Sequence, residues 1–268
     1  MNRKTGFRKL LSLVVHSYHT VMLVLLATSS LAGQNNPVRD ASAIAALQSS
    51  LASMGGSSGW TAIQDWTMTG SVSVNNSQTS TFSWIGAGTE FCIQVVTGGT
   101  TSQFFSGHGS PARVVNGTVN NLNYFVARAN PPLYLPATEF TQDLANAVLT
   151  IQYIGTATTH GVPSVQVHIS DDSDTVGSLV TPHDWFLDAT TYMPLEVQFR
   201  IPPNENASDY TDGTMDFWQF QAVGTLQIPA NLSLTTDDGT TKTFSVSSTA
   251  FNTGVPPSTF DPPQGGGQ

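Results

Sequence analysis

From residue 66 onward, apolar side chains recur at every second position in short segments, and this alternation constrains the fold more than any other feature. Met68 and Val72 alternate with threonine and serine, and Phe82 and Trp84 share one side of the next segment. Such alternation is typical of strands with one buried face. Short polar turns separate the segments, and short turns connect antiparallel neighbours. The pattern predicts about ten short antiparallel strands in a sheet with one apolar and one polar face.

Two segments have helical spacing instead. In the first, Ile44, Leu47, Leu51 and Met54 follow one another at intervals of three or four, behind Asp40 as a helix-capping residue. A second helix is predicted within residues 137–149, where the apolar residues spaced by four are Phe140, Leu144 and Val148. These elements predict an α+β fold in which two amphipathic helices cover the apolar face of the sheet.

The chain is acidic and carries few charges. Its formal net charge is −9, and only 10% of its 268 residues are Asp, Glu, Lys or Arg. Nucleic-acid binding needs clustered Lys and Arg to neutralise phosphates, so the composition excludes that class of partner. Cys92 is the single cysteine, which rules out an intrachain disulfide. We therefore expect a soluble, monomeric domain that is stabilised by its own core.

The first 32 residues have the layout of a secretory signal peptide. Four basic residues precede an apolar run, which ends at small residues, Ser30 and Ala32, placed where an export peptidase reads them. The stretch 21–27 is shorter than the ~20 apolar residues of a membrane span, although an N-terminal anchor is the alternative. Removal of residues 1–32 changes the formal charge from −9 to −13, because this segment holds four basic and no acidic residues.

This layout predicts how the chain is organised and where it acts. We expect a signal peptide over residues 1–32, a single domain over 33–263 and a disordered tail over 264–268. The mature protein is expected in the bacterial periplasm or secreted. Cys92 lies too far from the cleavage point to be the lipid-modified first residue of a lipoprotein, so that no lipid anchor is expected.

Side chains with catalytic or metal-binding chemistry are scattered along the sequence. His108 lies in a Gly-rich hairpin tip that lacks the spacing of a nucleophile elbow. The acidic turn at Asp171, Asp172 and Asp174 is predicted to be solvated and disordered, with weak calcium binding as the alternative. Histidines without a partner at metal-ligand spacing on their own strand, interpreted as surface residues, are His160, His168 and His183. The sequence therefore predicts no enzyme, no cofactor and no metal site.

The segment 185–199, "WFLDATTYMPLEVQF", resembles a hairpin of the outer-membrane lipoprotein carrier (LolA/LolB-like) superfamily. The family's pattern of Asp, Thr, Pro and Leu falls here at Asp188, Thr191, Pro194 and Leu195. The similarity is strongest from about residue 150 to 263, where it includes a strand–turn–strand around Gly161 and the closing strands. These motifs are moderately specific for a fold and weakly specific for an activity.

The resemblance implies a divergent, soluble, exported member of this superfamily. Its fold would be a strongly bent antiparallel sheet, an open half-barrel, with the helices packed on the concave face. In such carriers the space between sheet and helices holds acyl chains. They also place an arginine near the cavity mouth; no motif marks it here, and Arg113 and Arg128 are the candidate positions.

Aromatic residues are the candidates for ligand binding. Those predicted to line an apolar pocket are Trp84, Phe91, Phe199, Trp218 and Phe220. The Pro-rich segment 120–136 is predicted to form a lid through Tyr124, Phe125 and Tyr134. The alternative is that the strand aromatics form an ordinary core. On the hairpin, Leu195, Val197, Phe199 and Ile201 are predicted to face the helices and the ligand; Glu196, Gln198 and Arg200 are predicted to face water.

The sequence favours an exported, non-catalytic carrier-like protein that binds a lipid, an acyl chain or a lipoprotein between sheet and helices. The alternative is an envelope sensor or protein-interaction module with a filled cavity and no small ligand, whose exposed loops bind a protein partner. A secreted hydrolase that depends on His108 or Glu196 ranks third.

Overall fold

The computed structural model describes residues 36–107, 110–129, 134–203 and 206–263. The predicted signal peptide, the predicted tail over 264–268, His108 and positions 130–133 of the predicted lid lie outside these residues. The helices are α1 Ala41–Ser53, α2 Ser57–Thr61, α3 Tyr124–Ala129, α4 Pro136–Ala145, α5 Thr175–Val180 and a 3-10 helix Pro257–Phe260. The strands are β1 Trp66–Val74, β2 Gln78–Ala87, β3 Glu90–Thr97, β4 Thr100–Phe105, β5 Ala112–Val115, β6 Thr118–Asn121, β7 Thr150–Thr159, β8 Val162–Ser170, β9 His183–Asp188, β10 Pro194–Ile201, β11 Thr211–Val223, β12 Leu226–Thr236 and β13 Thr241–Phe251.

All of these strands belong to one antiparallel sheet. Its order is β6-β5-β4-β3-β2-β1-β13-β12-β11-β10-β9-β8-β7. The chain therefore builds one arm outward from β1 to β6, moves to the far edge at β7, and returns strand by strand to the middle. There β13 pairs with β1 along its length, from Trp66 opposite Phe251 to Val74 opposite Lys242. The β1–β13 pair joins the two arms into a continuous sheet.

The sheet is strongly bent. Phe104 on β4 and Met215 on β11 line the same cavity. In a flat sheet these strands would be six spacings apart, about 29 Å at 4.8 Å per spacing. Only a curled sheet brings them to one cavity, so the predicted open half-barrel is confirmed.

The two predicted helices pack on the concave face. Helix α1 begins at Asp40, whose carboxylate accepts a hydrogen bond from the Ser42 N–H at 2.7 Å. Leu47 and Leu51 are at most 1% exposed and share a core with inward side chains of the sheet such as Met215. On α4, Phe140 is fully buried and its ring meets that of Trp185 edge-on, with centroids 4.6 Å apart.

The structure differs from the predicted elements in three places. There are thirteen described strands rather than about ten, partly because Asn116 and Gly117 form a tight hairpin turn that separates β5 from β6. Both residues have positive φ, as that turn requires. Helix α4 ends at Ala145, so Val148 is not part of a helical stripe and is 51% exposed. Three further short helices, α2, α3 and α5, have too few residues to show a period.

One region of the outer, convex face is also buried. Cys92, Phe105 and Val114 form an apolar cluster there with Phe260 of the 3-10 helix. Gly107 is needed for this contact, because a Cβ at this position would lie 2.3 Å from the Phe260 carbonyl oxygen. The predicted division into one apolar and one polar face therefore fails where the C-terminal segment covers β3, β4 and β5.

The hairpin that carries the family resemblance is formed by β9 and β10. Its turn is held by Asp188, whose Oδ1 accepts hydrogen bonds from the N–H groups of Thr190 and Thr191 at 2.8 and 2.7 Å. Pro194 is followed by an irregularity in the pairing with β9, and Leu195 at this irregularity is only half-buried. The residues of the motif therefore form the turn of this hairpin and fix the register of β9 and β10.

Candidate functional site

An apolar cavity of about 610 Å³ lies between the two arms of the sheet, and we call it the main cavity. Strands β3, β4 and β5 form one wall, strands β10 to β13 form the other, and α3 contributes Val126. Its apolar lining consists of Phe91, Ile93, Val95, Phe104, Val115, Val126, Tyr134, Phe199, Ile201, Pro202, Met215 and Leu234. Cavities of 300–1,000 Å³ with mostly apolar walls are typical of small-molecule sites.

The strand register explains why these side chains converge. Trp84 lies opposite Ile93, and Ile93 lies opposite Phe104, which places the three on one face of neighbouring strands. Across the cavity, Met215 lies opposite Leu234 and Val197. Directly opposite residues project to the same side of a sheet, so each arm presents a continuous apolar surface to the cavity.

Two cations lie where the main cavity meets solvent. Arg113 on β5 and Lys242 on β13 are exposed and line the cavity. Among the described residues, the Arg113 side chain has no hydrogen-bond or ion-pair partner, and the one interaction of the Lys242 side chain is electrostatic, with Asp238. The three other basic residues after position 35 have internal partners: Arg39, Arg128 and Arg200.

Four of the five predicted pocket aromatics lie on the inner side or against the core. Phe91 and Phe199 line the main cavity. Trp84 lies one layer deeper: it is 1% exposed and stacks on Tyr134 with centroids 4.2 Å apart. Phe220 is half-buried against the core and does not line the cavity.

The placement predicted for Trp218 is wrong. Its neighbour Phe217 belongs to the core, so Trp218 projects to the outer face and is 37% exposed. The segment "FWQF" puts an aromatic residue on each side of the strand, and alternation alone does not show which of them is inside.

The predicted lid residues take three different positions. Tyr134 lines the main cavity, where burial raises the pKa of its hydroxyl to about 12. Phe125 on α3 is buried in a small cluster with Val180 of α5. Tyr124 is 55% exposed and does not line the main cavity. Helix α3 forms part of the wall through Val126, which the sequence did not identify.

The predicted faces of β10 are confirmed with one correction. Val197 and Phe199 face inward, and Gln198 faces outward. Glu196 is on the outer face, yet it is only 9% exposed because His160 lies over it, with Nε2 3.2 Å from the Glu196 carboxylate. His160 Nε2 also bonds to Asp216 at 2.8 Å, so that all three groups have partners.

The acidic turn is an ordered ion-pair site rather than a calcium loop. Arg128 pairs with Asp171 at 2.6 Å and with Asp174 at 2.9 Å. Asp174 also caps α5 by accepting a hydrogen bond from the Gly177 N–H. Burial opposes ionisation of Asp171, but hydrogen bonds from Ser173 and Arg128 outweigh it and lower the pKa of this carboxyl. Two of the three carboxylates that a calcium loop would use are therefore already paired with a guanidinium group.

The other two histidines that were predicted to be exposed differ from each other. His168 is on the outer side, with Nδ1 3.2 Å from the Asp184 carboxylate. His183 is not a surface residue: it lies opposite Phe199 on the concave face and is 6% exposed. The sequence signal that was missed is its position two residues before the buried Trp185, on the same side of β9.

Comparison with known proteins shows the fold. No protein-family model matches the sequence, and no curated protein matches it by sequence. Three solved structures each align with 81% of this chain. A LolA superfamily protein from Nitrosomonas europaea has a TM-score of 0.53 at 7% identity, over 96% of that chain. A domain named for outer membrane lipoprotein sorting, from Vibrio parahaemolyticus, has a TM-score of 0.52 at 16% identity, over 95% of its length. A DUF1329 family protein from Desulfovibrio piger has a TM-score of 0.50 at 10% identity, over 96% of its length.

None of the helices in the described part of the chain is long and apolar enough to cross a membrane. The three alignments, at TM-scores of 0.50 to 0.53 over 81% of this chain, show a shared fold. The resemblance first seen at Asp188, Thr191 and Pro194 is confirmed at the level of architecture, and this chain has the half-barrel fold of the LolA superfamily.

Proposed function

We propose that this protein is an exported, non-catalytic carrier that binds an apolar or lipid-modified ligand in the main cavity. The observation that supports this function is the cavity itself: about 610 Å³ between the arms, with walls of aromatic and aliphatic side chains. Burial of an acyl chain there is favourable by about 0.8 kcal/mol for each methylene group removed from water. Names of similar structures, which refer to LolA and to lipoprotein sorting, point the same way.

The ligand has an apolar chain and an anionic end. Arg113 and Lys242 are cations at the solvent end of an apolar cavity, in a chain whose net charge is −9. A carboxylate or phosphate group held near them gains charge-assisted hydrogen bonds while the chain stays in the apolar part. A fatty acid, an acidic lipid or an acylated acidic peptide satisfies both requirements.

The alternative of a protein-interaction module predicts a filled cavity. The space between the sheet and helices α1 and α4, where the sequence predicted the ligand, is filled by core side chains such as Leu47, Phe140 and Trp185, whereas the main cavity lies between the two arms and counts against this alternative. Alternation in the sequence is compatible with a filled core or an open pocket, and the main cavity supports the open pocket.

Native mass spectrometry of the protein isolated from its own envelope tests the proposed function. We expect an adduct with the mass of a lipid or an acylated peptide, which organic extraction removes and identifies. An unliganded mass, together with failure to bind any added fatty acid or acylated peptide, would reject the carrier function and favour the interaction module.

The charge of the ligand is tested by replacing the two cations. The double variant Arg113→Gln/Lys242→Gln should bind palmitate about tenfold more weakly, because two exposed charge pairs contribute about 0.2–1 kcal/mol each. Its affinity for hexadecanol, which has the same chain without the charge, should be unchanged. Both affinities are measured by displacement of a fluorescent fatty-acid probe at low salt.

Arg200→Gln is the matched control for this experiment. Arg200 is on β10, but it projects to the outer side, where it donates to the Leu179 carbonyl and lies over the Tyr210 ring. It should leave the palmitate affinity unchanged. An equal loss for both ligands in the double variant would show that the cations shape the cavity rather than bind the anionic end.

A further inference from the structure

A second cavity of about 700 Å³ lies beside the main cavity and shares no lining residue with it. Helix α3 contributes to both: Val126 lines the main cavity, and Ala127 and Arg128 line the second. Unlike the main cavity, the second cavity contains three titratable side chains that are buried together. They are Glu139, Asp143 and His183, and we call them the inner triad.

The inner triad is assembled by a helix and a strand. Glu139 and Asp143 are four residues apart on α4, so both project from one face of the helix. His183 is the first residue of β9, opposite that face. The three residues are 4%, 5% and 6% exposed. Their donor atoms all lie within 4.8 Å of one another, and His183 Nε2 is 3.9 Å from Asp143 Oδ2.

The neighbouring donor atoms of the inner triad present lone pairs to one another. The other ring nitrogen of His183, Nδ1, is 2.8 Å from the Thr181 carbonyl oxygen, which can only accept a hydrogen bond. Nδ1 therefore carries the proton, and Nε2 of the neutral ring presents a lone pair. Among the described residues, Glu139 Oε2, Asp143 Oδ2 and His183 Nε2 have no hydrogen-bond partner.

These three buried acceptor atoms have no hydrogen-bond donor beside them among the described residues. An unpaired carboxylate in such a place is strongly unfavourable. A divalent cation would satisfy all three atoms and neutralise both carboxylates.

We propose that the inner triad binds a divalent transition-metal ion of the zinc class, through Glu139, Asp143 and His183 Nε2. One imidazole nitrogen with two carboxylate oxygens suits zinc, whereas magnesium and calcium prefer oxygen alone. Donor atoms around a tetrahedral zinc ion are about 3.3 Å apart for bonds of about 2.0–2.1 Å, so small side-chain rotations complete the site. The hydrogen bond from Nδ1 to a backbone carbonyl orients the ring, as is usual for a metal-bound histidine.

The three residues of the inner triad also line the second cavity. Three protein ligands leave one position for water or for an anionic group of a ligand. Histidines paired on one strand are the pattern that predicts a metal site in a β-rich sequence, whereas this site combines a helix and a strand. Two carboxylates four residues apart on a helix, at positions 139 and 143, are the signal that was present.

A second group of one histidine and two carboxylates, on the outer face, differs from the inner triad because its members bind one another. His160, Glu196 and Asp216 also lie within reach of one another on the outer face. There the His160 ring is exposed and bonds to Asp216 at 2.8 Å, and Ser233 donates to the same carboxylate at 3.0 Å. Because these groups already satisfy each other, they do not require a metal, and they serve as the internal control.

The test is metal binding by the chelator-treated full chain. Addition of Zn²⁺ at one hundred times its Kd should raise Tm by about 5–10 °C, because the ion binds only the folded state. Elemental analysis should give one zinc per chain, and Co²⁺ in its place should give the visible absorption of a four-coordinate site. If Zn²⁺ neither binds nor raises Tm in the wild type, the inner triad is a proton-sharing structural cluster and the proposal is wrong.

Two variants locate the site. Asp143→Asn keeps the shape of the side chain and should weaken zinc binding about a hundredfold or more, with loss of the Tm rise. Without metal it should be at least as stable as the wild type, since it removes a buried carboxyl, and this excludes misfolding as the cause. Asp216→Asn, in the outer group, should bind zinc as the wild type does. Zinc binding that survives Asp143→Asn, or that is lost in Asp216→Asn, would place the metal elsewhere and overturn the proposal.

Discussion

A chain with Phe199→Asn is expected to fold and to bind a fluorescent fatty-acid probe about a hundredfold more weakly than the wild type. Phe199 is 9% exposed and projects from β10 into the main cavity, next to Ile201 and Met215 in the lining. The substitution removes an aromatic ring from the wall and leaves an amide that a ligand chain would have to desolvate. Together these effects amount to about 3 kcal/mol, which corresponds to about a hundredfold in Kd.

Trp218→Asn is the matched control for the Phe199 variant. It also replaces a large aromatic residue on a neighbouring strand, but Trp218 is on the outer face and 37% exposed. Its affinity for a fluorescent fatty-acid probe should equal that of the wild type. Urea denaturation of each variant separates a loss of binding from a loss of folding. Similar losses of affinity in both variants would argue against the main cavity as the binding site.

Asp65→Ala is expected to lower the free energy of unfolding by about 3 kcal/mol and to expose Cys92 to thiol reagents. Asp65 is 6% exposed and directly precedes β1. It accepts hydrogen bonds from Thr253 N–H at 2.7 Å, Thr253 Oγ1 at 2.9 Å, Gly254 N–H at 3.0 Å and Val255 N–H at 3.3 Å. Hydrogen bonds to a charged group contribute about 1.5–3 kcal/mol each and are not additive when they share one acceptor group.

The effect of Asp65→Ala on Cys92 follows from what these hydrogen bonds hold in place. The segment after Val255 carries Phe260 onto Cys92, and burial raises the pKa of the Cys92 thiol to about 11. A detached segment would uncover the thiol and return its pKa toward the ordinary value, so that labelling by a disulfide reagent at pH 8 should become much faster. Asp238→Ala, in the exposed turn before β13, is the control and should leave Cys92 protected. Unchanged labelling in Asp65→Ala would mean that the segment is held by Phe260 alone.

The Asp65 carboxylate should make the free energy of unfolding depend on pH. Burial opposes ionisation of Asp65, but the hydrogen bonds from Thr253, Gly254 and Val255 outweigh it, so its pKa lies below the ordinary value. Because the folded state has the lower pKa, the stabilisation is fully present above the unfolded-state value of about 3.9 and is lost as the pH falls through the folded-state pKa. Asp65→Asn should therefore show a smaller loss of unfolding free energy below about pH 4 in urea denaturation.

Much of the architecture could be predicted from local patterns. Alternation along Met68 and Val72 predicts strands, the spacing of Leu47 and Leu51 predicts a helix, and short turns predict antiparallel neighbours. These features depend on residues close in sequence, and all of them are confirmed. The curvature needed more than alternation: the family resemblance implied it, and the structure shows it where Phe104 and Met215 meet.

The predictions that were wrong concern positions that depend on contacts between distant segments of the chain. Glu196 was expected in water, but a turn that is far away in sequence places His160 over it. Trp218 and its neighbour Phe217 are chemically similar, and only the packing of the whole sheet decides which of them is inside. The sequence did not predict the inner triad for the same reason, since His183 lies near Glu139 and Asp143 only after α4 has packed on β9.

The position of the last strand has a consequence for the order of events during synthesis. Of the described strands, β13 is synthesised last, yet it lies in the middle of the sheet, where it pairs with both β1 and β12. Each arm is a meander of local contacts, but the contact that joins the arms links the two ends of the domain, and such contacts form slowly. The walls of the main cavity come from opposite arms, so the cavity is incomplete on a partly emerged chain. We therefore expect ligand capture to begin only after the entire domain has been released and its two ends have met.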